Sequence, residues 1–475
     1  MSIEASLFYD LKIVYPVAAV AVGGAFCLIA ETFVSQDSKH KILPWINIFF
    51  LALAVVVLKS VAGDFSDPWS LFALNSINEF FLYAVLFCAF LGSCALQNTL
   101  REKGDGYGEA YSLLMLSAAG IMLMVMATDL MPLFLGMELA SFPIYALVAM
   151  NRNSKESNEA AFKYFISGSL FSAVFLYGIA LFYGSTGSTL INGDVLAGRE
   201  TIYQAAIFML SFGLLFKVGA FPLHFWVADA YTGALAAVTG YMAAVVKIGA
   251  FLALGAIWLG LFSSSAPIVI AREAVLFLFI GLASIVVGIT GLVQISARRI
   301  LAFSAVSNAG FILLGFCYPH FANIDALSLN DAFYFLLAYA IGSMGALAGI
   351  SALVKDYDNM EDLRGLAKRN HFIGICVSVC LASLAGLPVA AGFLAKFRIF
   401  AGLVQASFES SVIWGLAIAA FVLAASSAAY YIRIMYFIWS NTAGYKKRLK
   451  ISSLLNIGVA SATLLLLVLA VKMPF

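Results

Sequence analysis

The octapeptide Lys217-Val-Gly-Ala-Phe-Pro-Leu-His224 decides how this chain is read, because it lies inside an apolar run from about Ile202 to Trp226. Pro222 has no N–H and its ring crowds the carbonyl four residues before it, so a helix entering this stretch loses a hydrogen bond near Val218 and breaks. In hydrocarbon no water replaces the lost partner, and such a break survives only where it is buried in protein or lines a wet cavity. A lysine in the same turn is costly there and by default marks an ion or proton path. The alternative is a lysine that snorkels to the interface along its aliphatic stem, which is hard from the middle of the run.

Outward from that stretch, 63% of the 475 residues are hydrophobic and only 11% are charged, a composition far more apolar than that of a soluble domain. A spanning helix needs about 20 apolar residues. Such segments fall near 11–34, 42–61, 76–97, 110–127, 130–150, 160–184, 202–228, 234–262, 272–294, 300–318, 329–354, 371–404, 411–439 and 451–473, fourteen in all. The fold class expected is therefore all-α and integral to the membrane. Acidic Glu4 and Asp10 precede the first run, which reads as a retained helix and not as a cleaved signal. Cys27, Cys88, Cys94, Cys317, Cys376 and Cys380 all lie in apolar stretches with no Cys-x-x-Cys pair, the pattern of small core residues. His40, His224, His320 and His371 are spread without ligand spacing, and no phosphate loop, nucleophile elbow or dinucleotide fingerprint emerges. A formal charge of +2 argues for no nucleic-acid partner.

The placement of the charges says more than their sum. Loops after odd-numbered helices hold sixteen basic residues, among them Lys39, Arg101, Arg152, Arg298, Arg299, Arg364 and Lys446 to Lys450. Loops on the other side hold five, namely Lys12, Lys59, Arg199, Arg272 and Lys472. By the positive-inside rule the first set faces the cytoplasm, which puts both termini on the outer side of the membrane. The six remaining cations, Lys163, Lys217, Lys247, Lys396, Arg398 and Arg433, lie within spans, as does the acid Glu138 in Gly136-Met-Glu138-Leu-Ala-Ser-Phe-Pro143.

A second interrupted helix is written in Leu384-Ala-Gly386-Leu-Pro388-Val-Ala-Ala-Gly392-Phe-Leu-Ala-Lys396. The two breaks are five helices apart, and paired interruptions of this kind point to internal repeats with sites at mid-membrane. We therefore expect three N-terminal helices over 1–107, one five-helix repeat over 108–262, a second, inverted one over 270–440, and a last helix over 441–475. Lys217, Lys247 and Lys396, bridged by water and joined by His224, make a chain of groups able to load and release protons. Glu138 tunes Lys217: close approach holds the lysine charged, and separation lets it discharge.

Taken together, Gly136-Met-Glu138-Leu, Ala161-Phe-Lys163-Tyr164, Phe216-Lys217 through Pro222-Leu-His224-Phe-Trp226, Asp229-Ala-Tyr231-x-Gly233, Lys247-Ile, Arg299-Ile-Leu-Ala-Phe-Ser304, Asp362-Leu-Arg364-Gly365-Leu and Gly386-Leu-Pro388 through Gly392-Phe-x-x-Lys396 resemble the antiporter-like, proton-translocating membrane subunits of respiratory complex I. The resemblance covers about 108 to 440. It implies fourteen helices with two inverted five-helix repeats, each containing a discontinuous helix and a proton half-channel. It makes Glu138 and Lys217 the coupling pair, Lys247 the central relay, Lys396 the lysine of the second repeat, and Lys163 and His224 further members of the site. It also implies no cofactor on this chain: NADH or another donor, iron–sulfur clusters and quinone belong to other subunits. The partners implied are the membrane-arm subunits M, K and J, and lipid. Lys396, where subunit M usually has glutamate, and a chain that ends after the fourteenth helix without a long lateral extension narrow the choice within the family. The sequence departs from the family in lacking the prolines of Gly-Ala-Pro-x-Pro at Gly233-Ala-Leu-Ala-Ala237. It also has Asn308 where many relatives have histidine.

Three other readings use the same residues: a subunit of a stand-alone cation/proton antiporter, a structural membrane spacer, and a quinone-binding subunit. The orientation is open to test first. A reporter fused after Lys450 should read cytoplasmic and one at Phe475 periplasmic; the opposite pair of signals would overturn the helix count or its direction.

Overall fold

The computed structural model describes residues 3–61, 63, 70–103, 107–264, 267–321, 329–353, 359–388, 390–407, 411–441 and 451–472. These residues form helices joined by loops and turns, with no strand among them and three isolated bridges. Thirteen helices among the described residues are long and apolar enough to cross a membrane. The twelfth expected span is present as two shorter pieces, so the fourteen segments of the sequence all have a counterpart. All six cysteines are buried and unbridged.

The chain divides into two compact units, one of residues 1–217 and 245–265 and the other of 218–244 and 266–475. The first holds α1 (Ile3–Phe33), α2 (Gln36–Val61), α3 (Ser76–Lys103), α4 (Glu109–Met126), α5 (Leu130–Val148), α6 (Lys155–Thr186), α7 (Glu200–Val218, all but its last residue) and α10 (Lys247–Ser264). A polar pin locks its first four helices. Asn47 of α2, fully buried, accepts from the Cys27 thiol of α1 at 3.0 Å and donates to Ser93 Oγ of α3 at 3.1 Å and to the Tyr111 carbonyl of α4 at 3.3 Å. Apolar packing does not distinguish helix from lipid inside a bilayer, so hydrogen bonds of this kind and close backbone approach fix the neighbours. That approach is seen where α4 crosses α5. A Cβ on Gly120 would stand 2.4 Å from the Ala140 nitrogen and 2.6 Å from the Gly136 carbonyl.

The second unit holds α8 (Phe225–Gly233), α9 (Ala236–Tyr241), α11 (Pro267–Gly288), α12 (Ala297–Phe321), α13 (Asn330–Leu353), α14 (Leu366–Arg369), α15 (His371–Ala385), α16 (Ala391–Ser407), α17 (Ser411–Trp439) and α18 (Ser453–Leu469). Its axis is α13, buried at every residue from Ala332 to Leu353 and packed against α9, α12, α15, α16 and α18. Tyr334 of α13 donates to the Leu469 carbonyl of α18 at 2.7 Å. Here α11 crosses α12 as α4 crosses α5, with a Cβ on Gly310 only 2.4 Å from the Gly281 carbonyl.

Two expected helices differ in detail. The seventh, read as 202–228, stops at Val218; Gly219 takes φ +71°, and helix resumes at Phe225 beyond Pro222. The eighth, read as 234–262, contains a π-helical turn at Met242–Val246, immediately before Lys247. Replacing Gly120 with valine should separate α4 from α5 and cost about 3 kcal/mol through overpacking. The check is a lowered thermal midpoint and a lower yield of detergent-stable protein, and an unshifted midpoint would contradict the close crossing.

Candidate functional site

The first centre is built on α5 and α7. Asp129 caps α5, accepting from the Met131 N–H at 2.7 Å, while its second oxygen accepts from Thr189 Oγ1 at 2.6 Å. From that fixed start, Glu138, Ser141 and Tyr145 follow at helical spacing along α5. Lys217 occupies the last turn of α7, where the helix dipole favours a cation. It is 3% exposed, and its Nζ donates to Ser141 Oγ at 2.7 Å and to Tyr145 Oη at 3.3 Å, with the ammonium 5.7 Å from the Tyr145 ring centre. Gly168 of α6 makes room for that tyrosine: a Cβ there would fall 2.0 Å from its hydroxyl. A small cavity of about 10 Å³, the room a single water needs, is lined by Lys217, Ser141, Tyr164, Met137 and Ala250.

Glu138 is half-buried and accepts from Ser172 Oγ at 2.5 Å. No ion pair within 4 Å joins it to Lys217 among the described residues; each is held by hydroxyls instead. Lys247 opens α10 directly after the π turn and is 3% exposed. Lys163 stands on the exposed side of α6, paired with Glu159 at 2.7 Å.

The second unit carries the other centres. His224 precedes α8, its ring stacked on Phe221 at 5.9 Å, and its Nδ1 has no hydrogen-bond partner among the described residues. The Phe221 N–H donates to Ser284 Oγ at 2.9 Å, which satisfies one backbone group freed by the helix break. Lys396, near the start of α16 and 6% exposed, donates to the carbonyls of Leu384 at 2.9 Å and Ala385 at 3.3 Å, the open end of α15. Gly386 closes that helix at φ +79°, and a Cβ there would stand 2.8 Å from Lys396 Cδ. The ammonium rests 5.2 Å from the centre of the Phe311 ring on α12. Asn308, one turn away, donates to the Ser304 carbonyl at 2.7 Å and to Tyr431 Oη at 2.9 Å.

Of the other span cations, Arg398 pairs with Asp331 at 2.6 Å, and Arg433 donates to the Leu292 and Gln294 carbonyls at 3.0 and 3.2 Å. Arg298, read from the sequence as a loop cation, is 6% exposed and donates to the Thr232 and Ala234 carbonyls at the end of α8. Sequence reasoning missed Ser141, Tyr145 and Ser172 as the partners of the charged pair. Ser141 lies inside the glutamate motif, three residues after Glu138, so helical spacing alone was enough to find it.

Residues 127–425 match the family model described as NADH:quinone oxidoreductase/Mrp antiporter, TM. The chain is 32% identical over 444 residues to the NADH-quinone oxidoreductase subunit N of Trichlorobacter lovleyi, covering 90% of this chain and 88% of that one. It superposes on a chain of respiratory complex I from Thermus thermophilus with bound aureothin at a TM-score of 0.79 and 29% identity, over 96% of each. A chain of the Mrp complex from a Dietzia species shares the fold at a TM-score of 0.79 and 21% identity, over 99% of this chain and 95% of that one.

Ser141→Ala removes the shorter hydrogen bond to Lys217 and leaves a buried ammonium with one distant hydroxyl. The loss is about 2 kcal/mol, read as a lowered thermal midpoint of the purified protein, whereas Ser141→Thr should keep most of it. Equal midpoints for Ala and Thr would show that the serine does not hold the lysine.

Proposed function

The chain belongs to the NADH:quinone oxidoreductase/Mrp antiporter transmembrane family, and on that premise we propose that it is a proton-translocating membrane-arm subunit, of the subunit N type, in an NADH-quinone oxidoreductase. The observation that carries this reading is Lys217: a buried amine held by two hydroxyls, with Glu138 one turn away on the helix that supplies both. An ion pair with Glu138 at 4 Å, at an effective dielectric near 20, is worth about 4 kcal/mol. Moving one charge through 100 mV takes about 2.3 kcal/mol. Opening and closing the Glu138–Lys217 gap is therefore large enough to drive a proton on and off the lysine against a membrane potential.

In this proposal Glu138, Lys217, Lys247 and Lys163 serve the first half-channel and Lys396 the second, with His224 a further proton carrier and water bridging the gaps. The two half-channels correspond to the five-helix repeats at 108–262 and 270–440. The chain itself moves no electrons. The donor, iron–sulfur clusters and quinone lie on other subunits, and the neighbours are subunits M, K and J. The protein sits in a bacterial inner membrane with both termini periplasmic. Because the family description also embraces Mrp antiporters, a subunit of a cation/proton antiporter complex is the second reading. Purification in mild detergent with identification of the co-purifying chains separates the two.

Lys217→Ala in the intact complex should lower proton uptake into proteoliposomes by about a hundredfold, the scale of a lost proton-transfer group. Lys217→Arg should fail as well, because a guanidinium does not give up its proton. Glu138→Gln should impair pumping, and Glu138→Asp should keep part of it. Wild-type uptake by a correctly assembled Lys217→Arg complex would make Lys217 a fixed charge and end this reading of its role.

A further inference from the structure

We infer that Arg298 is a positioning residue for the half-helix α8, gripping its far end so that His224, at its near end, keeps its place. The inference rests on the proton-translocating reading above, which makes His224 a proton carrier, and adds a residue to it. α8 has only nine residues, and the break at 219–224 cuts it off from the hydrogen-bond ladder of α7. So short a helix does not stand on its own propensity and is held where its ends are tied. At the near end the Val227 N–H donates to the His224 carbonyl at 2.9 Å, so His224 moves with the first turn. At the far end the last carbonyls have no donor within the helix. The Ala234 N–H serves Ala230 at 3.1 Å, and Thr239 Oγ1 serves Tyr231 at 3.0 Å. The Thr232 and Ala234 carbonyls both go to one atom, Nη1 of Arg298, at 2.9 and 3.2 Å. No proline lies between Gly233 and Ala237, so no ring stiffens the turn, and these hydrogen bonds fix it instead.

Burial separates Arg298 from its neighbour. Arg299 pairs with Asp229 of α8 at 3.7 Å, but the two side chains are 49% and 33% exposed, and an ion pair so open to water contributes little. Arg298 is 6% exposed. A buried guanidinium needs acceptors, and the partial negative charge at a helix C-terminus suits it. The cation and the end of α8 therefore hold each other, and α12, packed along α8, presents the arginine from its first turn. Because a single nitrogen makes both contacts, an ammonium can take its place. Lys396 grips two carbonyls at the end of α15 in the same way.

The test is a double-mutant cycle on proton uptake by the intact complex in proteoliposomes, with assembly checked by subunit content. Arg298→Met should lower uptake about tenfold, since a small misplacement of a reacting group is costly, and Arg298→Lys should restore most of it. Acting through His224, Arg298→Met should take nothing further from a His224→Gln complex, the non-additivity of residues that work as a unit. A general loss of packing would instead give the same fractional loss in both backgrounds. Amide hydrogen exchange should rise over residues 225–234 in Arg298→Met and stay unchanged along α13. If Arg298→Met does not assemble, Arg298→Gln, which removes the charge and shortens the side chain, is read in its place. Full uptake by the assembled variant, equal fractional losses in both backgrounds, or Arg298→Lys no better than Arg298→Met overturns the inference. Failure of both neutral variants to assemble while Arg298→Lys assembles makes the arginine a folding determinant and overturns it too. Wild-type uptake by His224→Gln defeats the parent reading of that histidine, and exchange over 225–234 then decides alone whether Arg298 holds α8.

Discussion

An amine shut away from water must find its hydrogen-bond partners in the protein, and the rest of the structure is arranged around meeting that demand for Lys217. Its Nζ has three protons to place and finds Ser141 and Tyr145 on α5. That requires α5 to start at a fixed point, which Asp129 provides, and requires α6 to lie close enough to support the tyrosine, which the bare backbone of Gly168 allows. It also requires the α4–α5 crossing at Gly120 and Gly136 that packs α5 in place. Hydrogen bonding to hydroxyls satisfies the amine without neutralising it, whereas a carboxylate at contact distance would trap it as an ion pair. Glu138 and Lys217 are instead held separately, each by its own hydroxyl partners.

The two interrupted helices meet the same demand by different means. Lys217 sits at the end of its own helix and reaches sideways to hydroxyls on a neighbour. Lys396 sits just after the break and reaches back to the carbonyls that Gly386 leaves open at the end of α15. In the second case one interaction serves both partners, since the lysine needs acceptors and the truncated helix has carbonyls without donors. Hydroxyls can rotate and be replaced by water. Carbonyls at a helix end cannot, so the two lysines differ in how easily their surroundings reorganise.

Much of this was legible in the sequence because a bilayer leaves few choices. Spans need a fixed length of apolar residues, and Pro222 and Pro388 mark breaks that backbone chemistry demands. What stayed hidden lacks a chemical marker. The π turn at Met242-Ala-Ala-Val-Val246 puts an extra residue into one turn without any glycine or proline to announce it. Arg298 and Arg299 are neighbours in sequence and looked alike as loop cations. Successive helix positions point about 100° apart, so one is buried against the end of α8 while the other stays half-exposed, 3.7 Å from Asp229. Lys163 was counted within a span by its flanking residues, and the helix turns it outward to Glu159.

The burial of α13 along its length has a mechanical consequence. Helices such as α11 and α17 present large apolar side chains on exposed faces. From Ala332 to Leu353, α13 has protein on every side. A bilayer that is too thin or too thick acts on a helix by tilting it or drawing its ends toward the interface. That force reaches α13 only after the surrounding helices have absorbed it. The axis against which α16 packs therefore feels lipid composition only through its neighbours, and residues along it answer to packing in the way a soluble protein's core does.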